Sequence, residues 1–182
     1  GYCGGFGILK TTNAGINWSS MGNYTTYGCY FFDNNTGFIT GDYNTRRTTN
    51  GGVTWTSDTA FSYYPINSLK FVNSNTGFAS SFLGGDLYKT TNSGFNWSQI
   101  PFQQPDLFCS GFDFTDNNNI ISVSRFGLIN ITSNGGSTWH NLSNILYSYL
   151  SDISFPNTST GFAAGYRFSN NKSIFKTTNQ GN

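Results

Sequence analysis

The side chains that could do chemistry are few and narrow in type. All eight acidic residues among the 182 are Asp, and Glu does not occur. Asp42, Asp86, Asp113 and Asp152 are available as carboxylates, but most stand in turn-like stretches where Asp is expected for local backbone bonding. The cations include Arg46, Arg47, Arg125 and Arg167. Arg125 and Arg167 each fall five residues after an apolar position, Ile120 and Phe162, that the chain's internal repeat matches. Equivalent places in neighbouring units would make them a small basic patch, against the plainer reading of solvated arginines. Leu83 holds the place between, so such a patch would be thin. Aromatic residues gather in connecting stretches: Tyr24 and Tyr27, Tyr63 and Tyr64, Phe102, then Tyr147 and Tyr149. A rim of this kind suits stacking on a glycan or contact with a protein, and it suits wedging between structural layers equally well. The lone histidine, His140, follows Trp139 and is expected at the surface. Three cysteines (Cys3, Cys29, Cys109) without CxxC spacing predict neither a disulfide framework nor a zinc site, but small buried apolar residues. No metal or cofactor is expected.

The elements that must position these groups are strands. Asn, Thr, Ser and Gly compete with or weaken helix, while abundant Phe and Tyr favour short strands joined by Asn/Gly turns. The expected class is all-β. A net charge of +1 and only 9% charged residues argue against a nucleic-acid partner. No apolar run approaches the roughly 20 residues of a membrane-crossing helix, so no direct membrane insertion is expected. No signal-peptide pattern is visible.

Internal repetition is the dominant signal. Thr11-Thr-Asn13-Ala-Gly15-Ile-Asn-Trp18 returns as Thr48-Thr-Asn50-Gly-Gly52-Val-Thr-Trp55 and as Thr90-Thr-Asn92-Ser-Gly94-Phe-Asn-Trp97. It returns again as Thr132-Ser-Asn134-Gly-Gly136-Ser-Thr-Trp139, and in part as Thr177-Thr-Asn179-Gln-Gly181. The Asn positions are 37, 42, 42 and 45 residues apart. A leading element, Phe31 to Gly37-Phe38, recurs as Phe71 to Gly77-Phe78 and Phe155 to Gly161-Phe162, and in degenerate form from Phe114 to Ile120. Apolar residues two places before each Phe (Cys29, Leu69, Phe112, Ile153) give the period-two alternation of a strand. Each unit therefore reads as four strands, about 66–72, 77–83, 87–91 and 95–100 in the cleanest copy. Units of roughly 40 residues with four strands have the size of β-propeller blades. The expected blades cover about 1–20 (partial), 27–58, 66–100, 108–142 and 150–182 (partial). That makes three full blades and two partial ones, a fragment of a larger ring of six to eight blades.

The Thr-x-Asn-x-Gly-x-x-Trp motif resembles the Asp-box, or bacterial neuraminidase repeat, with Asn in place of Asp in every copy. Joined to the preceding Asn-Thr-Gly-Phe, it is similar to the propellers of the photosystem II stability/assembly factor family and to repeats in secreted surface proteins of Bacteroidetes-type bacteria. The resemblance implies a peripheral structural turn for the Asn, Gly and Trp positions, a protein or glycan ligand, and a place outside the cytoplasm. It also raises glycoside hydrolysis. Sialidases with this repeat use an arginine triad and a Tyr–Glu pair; Glu is missing here, and so is an Arg-Ile-Pro signature. Other Asp-box glycosidases use two aspartates. The expectation is a non-catalytic binding propeller, with Arg125, Arg167, Tyr63, Tyr64, Tyr147 and Tyr149 as candidate contacts. A hydrolase with its site partly outside these residues is the alternative. The oligomeric state is left open.

Overall fold

The computed structural model describes residues 1–41, 45–58, 61, 65–81, 85–100, 109–144, 148–167 and 172–179. Within them all regular structure is β, in five antiparallel sheets. Sheet one holds β1 (Tyr2–Gly4), β2 (Ile8–Lys10) and β3 (Ser19–Gly22). Sheet two holds β4 (Thr26–Phe31), β5 (Gly37–Gly41), β6 (Thr45–Thr48) and β7 (Thr56–Asp58). Sheet three holds β8 (Ile66–Phe71), β9 (Gly77–Ser81), β10 (Leu87–Thr90) and β11 (Ser98–Ile100). Sheet four holds β12 (Cys109–Phe114), β13 (Ile120–Ser124), β14 (Leu128–Thr132) and β15 (His140–Asn144). Sheet five holds β16 (Ser148–Ser154), β17 (Gly161–Arg167) and β18 (Lys172–Thr177). Every sheet meanders, each strand pairing with its neighbours in sequence. The chain divides into two compact units, Gly1–Lys70 and Phe71–Asn182.

Local chemistry makes the turns. After β4, Asp33 Oδ1 accepts the N–H groups of Asn35 at 2.6 Å and Thr36 at 2.7 Å, an Asx turn. Asn73, Asp116 and Asn157 repeat this bonding in the later sheets. The glycine that follows is a floor for the preceding aromatic ring: a Cβ on Gly77 would sit 2.6 Å from the Phe71 ring. This explains why Phe and Gly recur at fixed spacing.

The third turn of each unit is the repeated motif. Thr48 Oγ1 accepts from the N–H of Gly52 at 2.9 Å and donates to Asn50 Oδ1 at 3.0 Å. Asn50 Oδ1 also accepts the N–H of Thr54 at 2.9 Å. The Thr11, Thr90 and Thr132 copies make the same bonds within about 0.1 Å. Two successive positive φ angles, 56° at Ala14 and 90° at Gly15, with Ile16 N–H donating to Asn13 O at 3.3 Å, are the marks of a type I′ turn. The turns of one sheet also hold each other, since Gly51 N–H donates to Asn35 O at 2.8 Å, and Ser93 and Gly135 donate likewise to Asn75 and Asn118. The motif consumes more chain than its strand reading allows. Residues 95–97 belong to the turn, with Asn96 N–H held by Asn92 Oδ1, so β11 starts at Ser98 and not at 95.

Sheets pack face to face within each unit. In the first, the Tyr2 ring stacks on Phe31 at 3.5 Å, and Lys10 Nζ donates to Gly51 O at 2.9 Å. In the second, Phe78, Leu87, Ile100, Cys109, Phe112, Ile120 and Trp139 form one core cluster between sheets three and four. Ile121, Val123, Leu150, Ile153, Phe155 and Ala163 form another between sheets four and five. Each fully buried Phe or Leu here contributes about 2 kcal/mol. The first strands of sheets two, four and five, β4, β12 and β16, each carry a bulge. In β12 it frees Ser110, whose Oγ donates to Leu150 O of the next sheet at 2.6 Å.

Candidate functional site

The carboxylates are held as structure. Asp113 Oδ2 accepts the N–H of Phe155 at 2.7 Å, joining sheets four and five. Asp86 takes Gln99 Nε2 at 2.8 Å and the Tyr88 hydroxyl at 3.4 Å. Asp33 and Asp116 sit in their turns, and the hydrogen bonds they accept there hold both below the usual carboxylate range. Asp152 Oδ1 accepts the N–H of its own neighbour Ile153 at 2.8 Å. Asp42 lies outside the described residues. Among the described residues, no three His, Cys, Asp or Glu side chains converge as metal ligands. His140 is exposed and Cys109 buried, as their sequence contexts suggest. Cys3 and Cys29 are only half-buried; partial burial, with Cys3 nearby, raises the Cys29 thiol pKa.

One group of candidate binding residues does come together, in the second unit. Ser124 Oγ accepts the N–H groups of Phe126 and Leu128 at 3.2 Å, and Gly127 closes the turn at φ 74°. This tight β13–β14 connection presents Arg125 and Phe126. The Arg125 guanidinium lies 5.5 Å from the ring centroid of Tyr149 on β16. Tyr149 in turn stacks on Tyr166 of β17, with centroids 4.9 Å apart and planes 10° from parallel. The two tyrosines are opposite one another in the strand register. Close approach of the Tyr149 carbonyl leaves no room for a side chain at Gly165, which keeps this end of the sheet tight. Tyr166 is 47% exposed and Phe126 55%, so the patch offers apolar ring surface beside a cation. A guanidinium lying on a ring keeps N–H groups at its edge for carboxylate, phosphate or carbonyl oxygens.

The register changes the equivalence expected of the arginines. Ile120 faces Thr132 as Gly161 faces Thr177, so Ile120 corresponds to Gly161 and Arg125 to Tyr166. Arg167 lies one place further, its backbone opposite Ser148 and its side chain outside the described residues. Tyr63, Tyr64, Tyr147, Leu83 and Phe102 also lie outside them. A second Arg–Tyr contact, not singled out from sequence, occurs in the first unit. Arg46 stands 4.6 Å over the Tyr24 ring and donates through Nη1 to Ser57 Oγ at 2.8 Å. They border a hollow of about 180 Å³ with Asn23, Thr40 and Gly41. The available signal was alternation: in Thr45-Arg46-Arg47 the middle residue points to the opposite sheet face from its neighbours. The motif residues make contacts within their own turns and sheets. Trp18 Nε1 donates to Gly15 O at 3.0 Å, while Trp55 and Trp97 meet Phe31 and Phe71 edge-on.

No protein-family model and no curated protein sequence matches the chain. Among solved structures it is similar to an ancestral GH74 enzyme, with 19% identity and a TM-score of 0.76, over 96% of this chain and 29% of that one. It is similar to YCF48 bound to D1 peptide, with 22% identity and a TM-score of 0.61, over 80% and 53% of the two chains. PorZ, a surface component of the type-IX secretion system of Porphyromonas gingivalis, gives 10% identity and a TM-score of 0.59, over 92% and 24%. The chain thus spans between about a quarter and a half of these proteins. The fold is all-β and of the β-propeller type, like those of YCF48 and the GH74 enzymes.

Proposed function

We propose that residues 1–182 form one propeller region of the Asp-box class that acts as a non-catalytic scaffold, presenting a cation–aromatic patch to a protein partner outside the cytoplasm. The observation that carries this reading is the Arg125–Tyr149–Tyr166 stack, an exposed patch built across two sheets. The engagement of Asp33, Asp86, Asp113 and Asp116 in turns and strand contacts supports a non-catalytic role. Similarity to YCF48 with its bound peptide supports a protein ligand, and similarity to the surface component PorZ supports the location. Peptides selected from a random display library on the immobilised chain test it. The selected peptides should lose most of their binding to Arg125→Ala and Tyr149→Ala. Binding that ignores both substitutions, or binding only to glycans on an array, refutes the reading.

Similarity to a GH74 enzyme favours one second reading, a carbohydrate-active enzyme. Turnover of fluorogenic glycosides that disappears with Asp113→Ala or Asp152→Ala would establish it in place of the scaffold.

A further inference from the structure

The first unit contains a hollow whose walls are fixed by backbone packing. The chain leaves β3 at Gly22, where a Cβ would fall 2.7 Å from the Tyr24 ring, so bare backbone lets the ring lie there. Thr26 Oγ1 donates to Tyr24 O at 2.9 Å, and the Thr25 carbonyl rests on Gly41 of β5, where no side chain fits. These contacts hold residues 23–25 against the β5 end of sheet two. In the strand register Arg46 is level with Ile39 on β5 and Ser57 on β7, so the three side chains share one face. Its guanidinium lies 4.6 Å over the Tyr24 ring and donates through Nη1 to Ser57 Oγ at 2.8 Å. The hollow of about 180 Å³ opens among these residues.

It offers one charge and several uncommitted polar groups. Lys10 and Lys89 direct their ammonium groups to carbonyls of the next sheet. Arg46, among the described residues, has no hydrogen bond beyond Ser57 and no ion pair. The Asn23 amide and the Tyr24 and Thr25 hydroxyls likewise have no protein hydrogen-bond partner among the described residues. Only the Thr40 hydroxyl is engaged, donating to Gly28 O at 3.3 Å. Asn23 and Thr25 are exposed at the rim, while Tyr24 and Arg46 are half-buried. Stacking on a ring fixes the guanidinium plane and leaves its edge N–H groups as a fork that matches a carboxylate. No second cation among the described lining residues balances a dianion. An amide and two hydroxyls suit a ligand that carries hydroxyl groups of its own. The volume is below the roughly 300–1,000 Å³ of drug-sized sites, which limits the ligand to one ring-sized residue.

We propose that this hollow binds a sugar acid, a single uronate residue whose carboxylate lies on Arg46 and whose hydroxyls meet Asn23, Tyr24 and Thr25. The site is separate from the Arg125 patch and does not depend on it. Titrating the isotope-labelled chain with glucuronate, and following the Arg46 Nε–H and the Thr25 and Gly41 amides by NMR, tests it. Saturable shifts are expected, with glucose and N-acetylglycine each binding about ten-fold more weakly or worse. Arg46→Met should abolish the amide shifts, and Arg46→Lys, which keeps the charge and loses the fork, should weaken binding about ten-fold. Asn23→Ala, at an exposed position, should weaken it several-fold. Amide resonances elsewhere that stay in place show that each variant folds. Absence of saturable shifts, or shifts that survive Arg46→Met, overturns the proposal. Glucose binding as tightly as glucuronate also overturns it, because the carboxylate is then not read. So does equal binding of N-acetylglycine or inorganic phosphate, since the hydroxyls would then count for nothing.

Discussion

Lys10 and Gly51, 41 residues apart in sequence, are joined by a 2.9 Å hydrogen bond from the lysine ammonium to the glycine carbonyl. Gly51 sits in the type I′ turn of one sheet and Lys10 on β2 of the sheet before it, so a local turn doubles as a docking point. The Tyr2 hydroxyl reaches the same carbonyl at 3.3 Å. A charge-assisted bond at a half-buried site contributes on the order of 1 kcal/mol. Lys10→Met keeps the apolar stem and removes the donor; Lys89→Met does the same toward Gly135. Each should lower the urea midpoint by an amount equivalent to about 1 kcal/mol, with an unchanged slope. No change in midpoint would mean the ammonium gains nothing over water.

Thr45 shows the opposite situation. It is fully buried, and among the described residues its hydroxyl has no hydrogen-bond partner. The equivalent positions in other sheets are Ile8, Leu87 and Ile129. An unsatisfied buried hydroxyl costs roughly 1–3 kcal/mol, and valine has nearly the same shape. Thr45→Val should therefore raise the melting temperature, corresponding to a gain of about 1 kcal/mol. A lower melting temperature would show that the hydroxyl is bonded after all.

The Asn of the motif acts through one oxygen. Oδ1 of Asn134 accepts from the Thr132 hydroxyl and the Thr138 N–H, while Nδ2 donates to Thr138 Oγ1 at 2.8 Å. A carboxylate would keep both acceptor roles and could take the Thr138 hydroxyl as donor. Asn134→Asp should thus be nearly neutral at neutral pH. Asn134→Leu, which abandons every bond, should cost about 1–2 kcal/mol in chemical denaturation. Equal destabilisation by both would mean the amide N–H donors matter more than the shared oxygen.

Much of this was legible in the sequence because it is local chemistry. Thr, Asn and Gly at fixed offsets can close a type I′ turn only one way, and Phe with Gly six residues on marks a ring resting on a bare backbone. The start of β11 was misjudged for the same local reason, since the side chain of Asn92 captures the backbone at Asn96 that alternation would assign to a strand. What sequence did not reveal depends on the neighbouring sheet. Nothing in Lys-Thr-Thr-Asn states that the lysine reaches a carbonyl 41 or 46 residues away. The equivalence of Arg125 with Arg167 is shifted by one in the register; the partnership of Arg125 with Tyr149 comes from a β13–β14 connection meeting the first strand of the next sheet.

Acid should weaken the fold through the Asx turns, and only below the ordinary carboxylate range. Asp33 and Asp116 have folded-state pKa values lowered by the hydrogen bonds they accept: Asp33 from Thr36 and Asn35, Asp116 from the Asn119 side chain and from Asn118 and Asn119 backbone. A carboxylate with a depressed folded pKa adds stability above its unfolded pKa, and that stability is lost as pH falls through the folded value. Melting temperature should therefore hold at neutral pH and decline once pH drops below the ordinary carboxylate range. Asn73 and Asn157 build the same turn with a neutral amide. The double substitution Asp33→Asn and Asp116→Asn should preserve the fold at neutral pH and flatten the acid limb of a melting-temperature profile. An acid limb as steep as in the unsubstituted chain would place the acid sensitivity outside these two turns.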